Sequence, residues 1–138
     1  MNGRAAIALL ALATLSGCVR SEQIWHPETL RSGATIKVTS LYFVWGFEHD
    51  ERDPSQDSFA LEFTSADPGA NPEAREQEVM DAFELIRPVS EQWNVQTASV
   101  ASYPTLLRKG KYDLYLFERD AQGKWSSRHE ARKVFAND

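Results

Sequence analysis

The stretch SFALEFTSADPGANPEAREQEVMDAFELIR, residues 58–87, changes its hydrophobic period halfway along. Phe59, Leu61 and Phe63 alternate with Ala60, Glu62 and Thr64, a period of two that predicts a strand over 58–65 with one face on a core. A turn at 66–70 leads into Asn71-Pro72-Glu73, which has the composition of a helix start. Asn supplies an N-cap acceptor, Pro suits the first helical position, and the acid sits where the helix dipole favours it. Val79, Ala82, Phe83 and Ile86 then recur at spacings of three and four, with Glu76, Gln77, Asp81 and Glu84 off that stripe. The spacing predicts a helix over about 72–87. Pro88 removes a backbone donor and is expected to end or kink it, while Val89 and Trp93 extend the stripe by another turn.

A half-buried strand and an amphipathic helix both need partners, and the flanking sequence supplies them. From Ala34 to Phe47, Ile36 and Val38 alternate with Lys37 and Thr39, and then Leu41-Tyr42-Phe43-Val44-Trp45 is apolar on both sides. Gly46 is expected to mark a bulge or a close approach near the end of this strand. Segments 34–47 and 58–65 read as an antiparallel pair joined by a long polar loop. Val95 to Ser102 is a weaker third strand, and Leu106 to Gly110 a turn. Tyr112 to Arg119 places Tyr112, Leu114 and Leu116 on one face and Tyr115 and Phe117 on the other. Asp120-Ala121-Gln122-Gly123 forms a four-residue hairpin connection, with Gly123 positioned for positive φ and a return strand beginning at Lys124. The expected architecture is α+β: a mostly antiparallel sheet of about five strands with the 72–87 helix packed on one face.

The N-terminus carries a different signal. Met1-Asn2-Gly3-Arg4 has one positive charge and no acid, and Ala5 to Leu15 is an apolar run of eleven residues. That is the pattern of a secretory signal, and it is far short of the roughly 20 residues that a spanning helix needs. The run ends in Leu15-Ser16-Gly17-Cys18, which resembles the lipobox of bacterial lipoproteins. The resemblance implies that residues 1–17 are removed and that Cys18, the only cysteine of the chain, carries a diacylglyceryl group and often a third acyl chain. Two or more chains are what stable anchoring requires. Val19 stands where many Gram-negative bacteria place the Asp that retains such proteins in the inner membrane. The resemblance therefore implies an outer-membrane lipoprotein facing the periplasm in a Gram-negative cell, or the outside of the plasma membrane in a Gram-positive one.

Without residues 1–17 the chain has 121 residues, with 14 basic and 20 acidic side chains and a net charge of −6. Val19 to Gly33 shows no period and reads, with Cys18, as a tether over 18–33, in which Trp25-His26-Pro27 is expected to dock on the domain, the alternative being the lipid headgroup layer, where Trp is favoured. Residues 34–138 make a single globular domain, long enough for one core without metal or disulfide staples. Residues 18–107 hold 6 basic and 15 acidic side chains, whereas 108–133 hold 8 and 4. A net acidic chain lacks the cationic surplus that phosphate neutralisation needs, which argues against nucleic acid as a partner.

Catalytic and ligand-binding patterns are weak. Glu48-His49-Asp50-Glu51-Arg52-Asp53, with Asp57 beyond it, offers oxygen donors but departs from the spacing of a calcium loop, and no metal or cofactor is expected. His26, His49 and His129 are scattered, no G-x-S-x-G elbow occurs, and acylation would occupy the only thiol. The surplus is aromatic: Tyr42, Trp45, Phe47, Tyr115 and Trp125 are the candidate interaction surface, because aromatic residues are enriched at protein contacts. The leading expectation is a non-catalytic protein-interaction module held at the membrane by lipid on Cys18, such as an envelope-complex subunit, an inhibitor or immunity protein, or an assembly factor. The alternatives are a binder of a small apolar or cell-wall ligand and, third, an envelope hydrolase using His49 or His129 with a carboxylate.

Overall fold

The computed structural model describes residues 19–22, 26–106 and 110–134, with side chains described for 27–106 and 110–134. The signal region, Cys18 and Trp25 lie outside the described residues, as do 107–109 of the expected Leu106–Gly110 turn. The chain runs β1 (Val19–Glu22), β2 (His26–Thr29), β3 (Thr35–Val44), β4 (Phe47–Glu48), β5 (Glu51–Arg52), β6 (Ser58–Thr64), α1 (Pro72–Gln92), β7 (Thr97–Tyr103), β8 (Gly110–Arg119) and β9 (Trp125–Val134). Among the described residues it is an α+β fold with one α-helix on one face of a mostly antiparallel sheet.

The main sheet has the order β1-β3-β6-β7-β8-β9, and β2 also pairs with β3. It thus has seven strands where the hydrophobic pattern indicates about five. The excess comes from residues 19–33, expected as an aperiodic tether. Val19 pairs with Val44, and His26 with Val38, so β1 and β2 follow one another along the same edge of β3. Edge pairing uses backbone groups and leaves little periodic trace in the side chains. Leu30 after β2 turns into the core, and Glu28 is buried.

Strands β3 and β6 pair antiparallel, as expected, with a bulge at Thr39 between the Val38–Phe63 and Ser40–Glu62 pairs. The bulge explains the sequence pattern of β3. It changes the phase of the strand, so Ile36 and Val38 before it and Leu41 and Phe43 after it all reach the core. Gly46, an alternative position for the bulge, is instead a close approach: a Cβ there would come within 2.5 Å of the Asp53 carbonyl and of Gln56.

The helix starts as the sequence indicates, with Asn71 Oδ1 accepting the Ala74 N–H at 2.8 Å and Pro72 in the first turn. It does not stop at Pro88 but continues to Gln92. Pro88 is exposed, so the carbonyl left without its donor lies on the solvent side, while Val89 and Trp93 extend the apolar stripe onto the core. The crossover through α1 returns the chain to the end where β6 began, and β6 and β7 are therefore parallel. Val79, Ala82, Phe83, Ile86 and Val89 pack over Phe59, Leu61, Phe63, Val100 and Phe117. Each fully buried side chain of this size contributes roughly 1.5–3 kcal/mol.

Candidate interaction surfaces

Three places combine unusual side chains with exposure: the loop after β3, the groove beside α1, and the outer edge of β9. The loop is built around Asp57. Arg52 donates to both of its carboxylate oxygens at 2.6 Å, and the Gly46 N–H donates to Oδ1 at 2.8 Å. The Arg52 guanidinium also lies 4.5 Å from the Trp45 ring centre and donates to the Gly46 carbonyl. Asp57 holds the Arg52 guanidinium above its ordinary pKa. Asp53 caps the 3-10 turn at Pro54–Gln56, accepting from the Ser55 hydroxyl and N–H, and these bonds hold its carboxyl below the usual range. Of the loop's acids, Asp53 and Asp57 are thus engaged in closing their own loop. Among the described residues, no group of three or more His, Cys, Asp or Glu is placed to hold a metal ion.

The groove lies between α1 and the β8–β9 hairpin, about 450 Å³, and its walls include Met80, Arg87, Glu91, Lys124 and Trp125. Its floor is closed by aromatic packing. Phe83 stacks on Phe117 at 3.9 Å, Trp125 meets Phe83 edge-on at 5.1 Å, and the Trp125 indole N–H donates to Glu91 Oε1 at 3.0 Å. A second recess, about 340 Å³, is lined by residues that include Ser65, Arg75, Ser102, Lys111 and Asp113. His129 reaches Asp113 at 2.8 Å and stacks on Tyr115. Ser102 pairs with Asp113 across β7 and β8, while His129 approaches from β9 on the other side. The strand order therefore puts the Asp113 carboxylate, not the His129 imidazole, next to Ser102.

The third place was not visible in the aromatic pattern. Strand β9 is ten residues long, pairs with β8 without a register shift, and has no partner on its other side among the described residues. The hairpin sets which backbone groups face outward. The Asp120 N–H donates to the Lys124 carbonyl and the Gly123 N–H to the Asp120 carbonyl, so 120 and 124 form a hydrogen-bonded pair. Antiparallel pairing alternates from there. Ser126, Arg128, Glu130 and Arg132 bond to β8, whereas Trp125, Ser127, His129, Ala131 and Lys133 direct their N–H and C=O groups to the open edge. Arg128, Glu130 and Arg132 share the sheet face opposite the helix, with Glu130 3.3 Å from Arg128 and also bonded to Arg132. Hydrogen bonding from Arg132 holds the Glu130 carboxyl below its usual range.

The five expected surface aromatics are not brought together. Tyr115 is buried on the helix side, and Trp125 is half-buried in the groove wall. Tyr42 lies on the opposite face, its hydroxyl 3.4 Å from Glu62. Trp45 packs edge-on against Phe43 at 5.1 Å, and only Phe47, at 42 % exposure, projects freely. The sequence signal for the β9 edge was the alternation of charge in Arg128, Glu130 and Arg132 on a strand with few apolar residues. No helix among the described residues is long and apolar enough to cross a membrane. No protein-family model matches this chain, and neither a curated protein nor a solved structure matches it.

Proposed function

We propose that this chain is a lipid-anchored protein of the bacterial cell envelope that works by protein–protein contact rather than catalysis. Its address rests on the Leu15-Ser16-Gly17-Cys18 motif, which implies the outer membrane facing the periplasm in a Gram-negative cell. The contact role rests on one observation, the long regular edge of β9 with outward-directed backbone groups. Such an edge is a template for strand addition, in which main-chain hydrogen bonds supply affinity and neighbouring side chains supply selectivity. Arg128, Arg132 and Lys133 beside it keep the edge soluble while leaving it open.

Labelling with a fatty-acid probe tests the address: the wild type is expected to incorporate it and Cys18→Ala to lose it, and equal labelling would sink the lipoprotein reading. An affinity capture of the tagged acylated protein from its own envelope, beside Ser127→Pro, tests the contact role. A stoichiometric protein partner, a second copy included, is expected with the wild type and lost with the edge proline. Capture unaffected by that substitution would move the contact away from β9.

A second reading is favoured by the groove between α1 and the hairpin, whose aromatic floor and Arg87–Glu91 rim suit a small amphipathic ligand such as a lipid or cell-wall fragment. Quenching of Trp125 fluorescence by such a fragment, abolished in Met80→Trp, would support it.

A further inference from the structure

We propose that the occupant of the β9 edge is a second copy of this chain, the two β9 strands pairing antiparallel about His129 so that the two sheets join into one. This rests on the reading of β9 as the contact surface and names its partner. Antiparallel self-pairing can centre on a residue whose N–H and C=O point outward or on one whose groups point inward. The inward-facing residues near mid-strand, Arg128 and Glu130, would each be set against their own like charge, which leaves Ser127, His129 or Ala131 if the strand is to overlap itself well. Of these, His129 is closest to the middle of the Trp125–Val134 strand, and only that centre engages every outward-facing residue. His129 then pairs with its own counterpart, Ser127 with Ala131 and Trp125 with Lys133, for about ten backbone hydrogen bonds.

The side chains agree with that register. On the face opposite the helix it sets Arg128 directly across from Glu130 of the second copy, and the symmetry repeats the pair. Ser126 faces Arg132, so no two like charges stand directly opposite on that face. A charged edge ordinarily resists pairing. Here the alternation of Arg128, Glu130 and Arg132 lets one strand complement itself. The edge is open for this: seven of the ten β9 residues, including Arg128, His129 and Arg132, are exposed, and β9 carries neither Pro nor a bulge. The two-fold axis stands perpendicular to the joined sheet, so both N-termini lie at the same height along it. Two anchors can then reach one membrane lying parallel to the sheet.

Disulfide trapping in the intact acylated protein, in its own envelope, tests the pairing. Cys18 is the only native cysteine and is consumed by the lipid, so an introduced thiol reports alone. Residues of a hydrogen-bonded antiparallel pair have Cα atoms about 5.5 Å apart, within disulfide reach. His129→Cys is expected to yield a reducible dimer of twice the mass. Ser126→Cys is expected to yield at least tenfold less, because its counterpart would sit opposite Arg132, roughly 20 Å away. In the His129→Cys background, Arg128→Glu should cut the dimer several-fold and Arg128→Glu with Glu130→Arg should restore it, while unchanged thermal melts show that these surface changes leave the fold intact. A yield from His129→Cys no greater than from Ser126→Cys overturns the proposal, and trapping strongest at Ser127→Cys or Ala131→Cys overturns its register. If trapping fails while a different protein is still captured and lost in Ser127→Pro, the second copy is wrong and β9 remains the contact surface. Loss of the fatty-acid label without loss of trapping would remove the membrane address alone.

Discussion

Strands β3 and β9 are the same length, ten residues each, and have opposite lives. β3 is flanked on both sides, by β6 and by β1 and β2, and most of its side chains are buried. Phe43 alone meets Trp45, Phe59 and Trp93 with ring centres 5.0–5.3 Å apart. β9 is flanked on one side among the described residues, and its sequence holds only Trp125, Ala131 and Val134 as apolar residues. The first is a strand because its side chains need a core. The second is a strand because a hairpin lays it along β8, so its backbone is ordered while most of its side chains stay exposed.

The largest break in that contrast comes from the core that β3 shares with the helix. Ile86, 1 % exposed, becomes an unpaired buried charge in Ile86→Asp, with an expected loss on the order of 5 kcal/mol and no cooperative melt at room temperature. A wild-type melt would show that the helix stripe faces elsewhere. Next comes a matched pair of truncations. Phe43→Ala should cost about 3–5 kcal/mol in a denaturant titration. Trp125→Ala, at the half-buried start of β9, should cost about 1–2 kcal/mol, since only its contact with Phe83 and its bond to Glu91 are lost. Equal costs would mean that β9 belongs to the core after all.

Adjacent prolines sharpen the reading of the edge. Ser126→Pro removes a donor that faces β8 and should destabilise by about 1–3 kcal/mol, whereas Ser127→Pro removes one that faces outward and should cost about 0.5 kcal/mol or less. Reversal of that order would mean that the inward and outward sets are exchanged. The smallest effect is electrostatic. Because hydrogen bonds from Arg132 lower the Glu130 pKa in the folded chain, its stabilisation is present above the ordinary carboxylate value of about 4.3 and is lost as the pH falls through the folded value. Glu130→Gln should therefore lower Tm slightly at pH 7 and not at pH 2, and the small size reflects its solvent-exposed partners. A larger shift at pH 2 would reverse the sign of the linkage.

Much of this was legible in particular residues. The N-cap at Asn71, the stripe through Ile86, the alternation in 58–64, the Gly123 turn and the two faces of β8 all rest on local rules of period and capping. The change of phase between Val38 and Leu41 was also present, but the apolar run that follows it hid the bulge at Thr39. The helix beyond Pro88 was less accessible, since a proline costs little when the carbonyl it orphans faces water. Aromatic residues alone do not mark a surface: Tyr115 and Trp125 look as available in the sequence as Phe47, and packing of Trp125 against Phe83 and of Tyr115 against His129 absorbs them.

By itself, the sequence determined the class of fold, the helix and its buried face, and the motif that implies an acylated Cys18, because each depends on the order of residues within a short window. Only the tertiary structure decided that 19–22 and 26–29 join the sheet, that β6 and β7 run parallel, that Asp57 closes the loop, and that among the described residues one side of β9 is left without a strand. These depend on which backbone groups meet across long separations in the chain, and hydrogen bonding between strands uses atoms that every residue but proline carries in full, so the sequence holds little record of the choice.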